Sequence, residues 1–152
     1  MSEVTLEAIA AKQAELAAMI QKLQQPAAQV TYIEIEETTV ALRAGERYAG
    51  AVLDDNGETV CHLVLMAQRP DKKLSWQAAT DWATSVGGTL PTRQEQALLF
   101  ANCKPHLKPD WHWSSQAHED DASYAWLCDF YDGVQIITHK SYEGGSVAVR
   151  RV

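Results

Sequence analysis

The sequence predicts an α+β domain carried behind an N-terminal helix, and three observations lead there. The first 25 residues space their apolar side chains by threes and fours, an Asn-Gly pair divides two β-rich runs, and two helical segments between 74 and 102 precede three short strand-like runs. At 152 residues, with 46% hydrophobic and 22% charged side chains, the chain has the balance of one globular core with an appendage. The expected division is an oligomerisation helix over residues 1–25, a connector over 26–29 and a main domain over 30–152.

Residues 3–25 contain neither glycine nor proline, and Leu6, Gln13 and Ile20 fall on heptad position a while Ile9, Leu16 and Leu23 fall on d. This is a short coiled-coil register. Its flanks, Ala10, Lys12, Ala17, Met19 and Gln24, carry little charge and widen the apolar stripe, which suits three or more strands better than two. One amphipathic helix folded on its own domain is the alternative, because the register runs for fewer than four heptads. "QQPAAQ" reads as a connector, because Pro26 ends the helix and the small polar residues bury little.

The run "VTYIEIEETTVALRAGERYAGAVL" is rich in β-branched residues, and Asn56-Gly57 signals a tight hairpin between strands at Arg47–Leu53 and Thr59–Ala67. The second strand, "VCHLVLMA", is apolar on both faces and is expected at the centre of its sheet. Within it His62 reads as a hydrogen-bonded core histidine, since no second metal-type residue stands at a ligand spacing. "LSWQAATDWATSVGG" follows as a helix capped by Ser75, with Trp76, Ala79, Trp82, Ala83 and Val86 on one face and Gly87 as a left-handed stop. In "GGTLPTRQEQALLFAN", Thr92 and Glu95 have capping-box spacing for a second helix, and Pro91 keeps the junction extended. The next stretch, "CKPHLKPDWHWSSQAHEDDASYAW", reads as a long surface excursion holding one short aromatic strand. "SYAWLCDF", "VQIITHK" and "SVAVRRV", with turns at 131–133 and 144–145, predict a closing antiparallel meander.

A net charge of −7 leaves no basic field, which argues against nucleic acid or an anionic membrane as a partner. No apolar stretch is long enough to insert in a bilayer. "MSEVTLEAIAAK" lacks the pattern of a secretory signal, so synthesis in a cytoplasm without export by that route is expected. Cys61, Cys103 and Cys128 are odd in number and widely spaced, and read as buried free thiols.

Taken in order, "LSWQAATDWA", "GGTLPTRQEQALLFAN", "WHWSS", "AWLCDF" with Gly133, and "VAVRRV" resemble the bacterial and phage C-type-lectin-like domains related to the C-terminal domain of the Legionella collagen-like adhesin. The match covers Leu74 to Val152, and "AGERYAGAVLDDNGETVCHLVLMA" is similar to the strand pair that precedes this block in phage members. The resemblance implies a C-type-lectin-like fold, two helices with antiparallel hairpins and a long loop region, often trimeric on a stalk or fibre. It implies a virion-associated, non-enzymatic recognition module, the receptor-binding or adhesion part of a tail fibre, which meets a host cell-surface glycan or protein and other virion proteins. A structural head or tail decoration is the alternative. A distant branch holds formylglycine-generating enzymes, but those need a reactive cysteine pair near the C-terminal end, and Cys128 stands alone. The chain also lacks the Glu-Pro-Asn, Gln-Pro-Asp and Trp-Asn-Asp triplets of calcium-dependent sugar binding.

The surface loops supply the candidate ligand-binding residues Trp111, His112, His118, Glu119, Asp120, Tyr131 and Tyr142, because exposed aromatics offer large contact area at low entropic cost. Alternation along "WHW" sends Trp111 and Trp113 to one face and His112 to the other, and the resemblance makes Trp113 structural. Glu119, Asp120 and Asp121 are a weak calcium candidate, since adjacent carboxylates can supply oxygen ligands but more often face water. No catalytic group and no cofactor is expected, because no nucleophile has a base and an orienting group at a recognised spacing. Arg150 and Arg151 are expected to divide between an inward ion pair and solvent.

Overall fold

A computed structural model describes residues 4–25 and 30–152, which form two units, 1–38 and Thr39–Val152. The connector expected at 26–29 lies outside the described residues, as do the first three positions of the N-terminal helix.

In the first unit, α1 spans Leu6–Gln24. Thr5 caps it by accepting a hydrogen bond from the Ala8 N–H, and Glu7 and Lys22 stand in the first and last turns where they complement the helix dipole. None of its residues is buried, and Leu6 and Leu23 are more than four-fifths exposed. From Val30 to Thr38 the chain has no regular secondary structure and exposes Val30, Tyr32, Ile33 and Ile35.

The second unit is α+β, with two helices, α2 (Trp76–Ser85) and α3 (Arg93–Cys103), and two small antiparallel sheets. The first sheet has the order β1 (Arg47–Leu53), β2 (Thr59–Leu65), β6 (Val149–Arg151), and the second has β3 (Trp111–Ala117), β4 (Tyr124–Asp129), β5 (Gln135–His139). The hairpin turn falls where Asn56-Gly57 predicts it. Asp54 shapes it: its carbonyl accepts from the Gly57 N–H, its carboxylate accepts from the Asn56 and Glu58 N–H groups, and Gly57 alone takes a positive φ, 79°. β2 is central as expected, and its Leu63, Val64 and Leu65 are buried.

Both expected helix starts are present. Ser75 accepts from the Ala78 N–H, and Thr92 and Glu95 make the full capping box. α2 buries Ala79 and Ala83 and ends before Gly87, at φ 84°. α3 lays Leu99 and Cys103 on the first sheet, and side chains from it close that sheet's outer edge: Asn102 donates to the Ala49 carbonyl at 2.6 Å and Gln94 to the Leu53 carbonyl at 3.0 Å.

The expected closing meander is corrected in its last member. β4 and β5 pair, but the final strand leaves them, joins β2 through Leu63↔Arg151 and Leu65↔Val149, and bridges Thr89 on its other side. The reason is the buried triplet Val147, Ala148 and Val149, which fills the space between the sheets and beneath both helices. The division expected for the two terminal arginines is corrected as well, since both are paired. Arg150 donates to both oxygens of Glu46, at 3.0 and 2.7 Å, and Arg151 to both oxygens of Glu95, at 2.7 and 2.6 Å.

Glu95 is 2% exposed and serves the cap and the Arg151 fork together. Glu95→Ala is expected to lower unfolding free energy by about 2–4 kcal/mol, since it removes a cap and strands a charge, as urea denaturation would read. Hydrogen bonding from Arg150 holds the Glu46 carboxyl at about 2, against an ordinary 4.5. That stability is whole above about pH 4.5 and is lost as pH falls toward 2. The melting temperature of Glu46→Gln, lower than that of the parent at neutral pH, is therefore expected to converge on it as pH approaches 2.

Candidate functional site

The face of the second sheet on the α3 side carries the most chemistry. Along β4, Ala125 and Leu127 point into the core beside α2, so Trp126 and Tyr124 point the other way. Cys128 shares that second face but is covered by α3. Beyond the reach of α3's apolar side chains, Trp126 is covered by a cation instead: the guanidinium of Arg93, the first residue of α3, lies 3.5 Å from its ring centroid. Gln135 brackets that arginine, accepting from its Nε at 2.9 Å and donating to its carbonyl at 2.8 Å, while Gln116 accepts from its backbone N–H at 2.8 Å. Among the described residues no carboxylate pairs with Arg93 and its Nη atoms make no hydrogen bond.

His118 flanks Trp126 on another side, with ring centroids 5.9 Å apart, and Tyr124 meets His139 edge to face at 5.6 Å. His118 Nδ1 and Trp126 Nε1 have no protein hydrogen-bond partner among the described residues, as is also true of Gln96 Oε1 and Ser146 Oγ in the core. The patch is thus aromatic and cationic, a combination common at contact surfaces.

The candidates from the sequence are scattered. His118 lies in this patch with its side chain 21% exposed, and Glu119 and Asp120 follow it in an exposed turn. Tyr131 is 68% exposed at the tip between β4 and β5. Tyr142 is 40% exposed with its ring edge against the buried Trp113. Trp111 and Trp113 do share a face, but Trp111 is half-buried against the cluster that holds Trp113. His112 is buried against Phe130, and its Nδ1 lies 2.7 Å from the Asp110 carbonyl. Burial pushes its pKa down. His62 is half-buried and hydrogen-bonded to the Tyr48 hydroxyl at 2.8 Å.

The calcium candidates do not converge. Asp121 turns to its own loop and accepts from the Ser123 hydroxyl and N–H, which hold its carboxyl below the usual range. Among the described residues no three His, Cys, Asp or Glu side chains are placed to hold a metal ion. Among the described residues no helix is long and apolar enough to cross a membrane.

The sequence reading missed Trp126, Arg93 and Gln135. Alternation in "YAWLCDF" was a usable signal for Trp126, with Ala125 and Leu127 inward. Nothing local marks Arg93, whose side-chain partners, Trp126 and Gln135, lie 33 and 42 positions away. Comparison with known protein families and with curated proteins found no match to this chain.

All three cysteines are free thiols, and burial pushes each pKa up, that of Cys128 to about 11. Titration of the native protein with a thiol-specific disulfide reagent at pH 7.5 is expected to leave Cys103 and Cys128 unreacted until denaturant is added. Prompt labelling of Cys128 would reinstate it as a nucleophile.

Proposed function

We propose that the chain is a non-enzymatic recognition module of a phage or phage-like particle. In this reading a C-type-lectin-like head rides on a short coiled-coil helix, trimeric through its a and d residues, as the receptor-binding or adhesion part of a tail fibre or related appendage. Its ligand is a glycan or protein of the host surface. The observation that carries the reading is α1: a nineteen-residue amphipathic helix with no buried residue is marginal alone in water, and Leu6, Ile9, Leu16, Ile20 and Leu23 gain a reason to be apolar once copies pack together. At about 1.5 Å per residue it is about 28 Å long, enough to plug into a larger fibre.

Two further features support the reading. The head presents a preorganised cation on an aromatic ring, a combination suited to binding rather than to proton transfer. Cys128, the residue that a formylglycine-generating chemistry would need, is 0% exposed and has a raised pKa.

A structural decoration of the particle is the second reading. The exposed apolar residues Val30, Tyr32, Ile33 and Ile35 favour it, since they call for cover from a neighbouring subunit.

Light scattering on the full chain and on a chain beginning at Val30 tests the assembly. The expected masses are three copies for the first and one for the second. A monomeric full chain would end the stalk reading, and Ile9→Asp with Leu16→Asp is expected to dissociate the trimer without unfolding the head.

A further inference from the structure

The head leaves one sheet edge open. The outer edge of β1 is closed by Asn102 and Gln94, and that of β3 by Gly145 and Pro91, whose backbones exchange hydrogen bonds with Trp111, Trp113 and Ser115. β5 has a neighbour only in β4.

The direction of its backbone groups follows from the ladder. Asp129 N–H bonds to the Val134 carbonyl and Lys140 N–H to the Ser123 carbonyl, at the two ends of the pairing Tyr124↔His139 to Cys128↔Gln135. In an antiparallel pair such contacts alternate, so Ile136 and Thr138 face β4 while the N–H and C=O of Gln135 and Ile137 face outward. Among the described residues they have no partner. The strand "QIITH" carries no acid, lysine, proline or bulge, the devices that ordinarily protect an edge, and Val134, Ile136 and Ile137 are 47%, 42% and 37% exposed beside it.

A cation sits at each end of this edge, stacked on tryptophan with no carboxylate partner among the described residues. At the Gln135 end it is Arg93 on Trp126. At the other end, on the opposite, α2 face of the sheet, it is Lys140, whose ammonium lies 4.2 Å from the Trp76 ring. The acids near the edge are engaged locally: Asp132 accepts from the Val134 N–H, Asp129 from the Tyr131 N–H and Asp121 from Ser123.

We propose that the open edge of β5 is a docking site for an extended acidic segment of a partner protein, which adds as a strand and places carboxylates toward Arg93 and Lys140. Backbone pairing along five residues, about 17 Å, supplies the affinity, and the two cations supply the selectivity. A second copy of this chain fits less well. Pairing of β5 with β5 brings no carboxylate to either cation, because the strand Gln135–His139 carries none. The proposal deepens the recognition reading by naming the chemistry of the ligand, and its test does not depend on the stalk.

The probe is the blocked peptide acetyl-Glu-Val-Thr-Val-Thr-Glu-amide, whose two glutamates point to opposite faces at the spacing of Gln135 and Lys140. It is titrated into the isotope-labelled full chain and followed by amide NMR. Shifts are expected at Gln135, Ile137 and His139. The peptide with both glutamates replaced by glutamine is expected to bind about tenfold more weakly, and Arg93→Gln is expected to erase most of that difference. Ile137→Pro removes only an outward N–H, so it is expected to keep the fold and abolish binding. A peptide N-methylated on its pairing amides gives the same answer without altering the protein. No saturable shift at β5 up to on the order of 10 mM peptide, equal binding of the glutamine peptide, or a fall in oligomer mass caused by Ile137→Pro would each overturn the proposal. Light scattering on the chain beginning at Val30 separates this outcome from a failure of the stalk.

Discussion

One buried carboxylate ties the head together. Glu95 accepts from the Thr92 N–H to start α3 and at the same time receives both arms of Arg151 from the last strand, so the start of a helix and the end of the chain share one side chain. A charge that is 2% exposed is tolerable only when so paired, and the pairing in turn demands that β6 lie beside β2 and under Thr89. Glu46 repeats the device, clamping Arg150 near the entry to β1. The two pairs hold down a three-residue strand that could not persist by its own ladder.

That arrangement decides which surfaces are left to act. Once α3 is anchored by Glu95 and covers the first sheet, its first residue projects past the apolar contact and lays a guanidinium on Trp126. The helix end that stabilises the core therefore also furnishes the patch. The edges follow the same logic: α3 closes β1, the returning chain closes β3, and only β5 lies beyond the reach of either.

Much of the local structure was legible. The Asn-Gly hairpin, the Ser75 cap, the Thr92–Glu95 box and the central place of β2 all depend on residues within a few positions of one another, where propensity and hydrogen-bond geometry act directly. The candidate site was less so. Exposure of Tyr131 at a turn could be read from spacing, whereas the burial of His112 depends on Phe130, which packs against it from the turn that follows β4. Trp111 was read as a surface aromatic, yet its side chain packs against the cluster around Trp113.

By itself the sequence determined where helices and turns begin, which strand is apolar on both faces, and that the first helix carries a heptad stripe. These are short-range properties, set by backbone conformation and by the periods of helix and strand. Only the tertiary structure decided that the last strand crosses to the first sheet, that both terminal arginines are paired, that Arg93 stacks on Trp126 and that β5 keeps an open edge. Each of those depends on which distant segments compete for the same buried space, and that competition is resolved by packing and desolvation across the whole core rather than by any residue's neighbours in the chain.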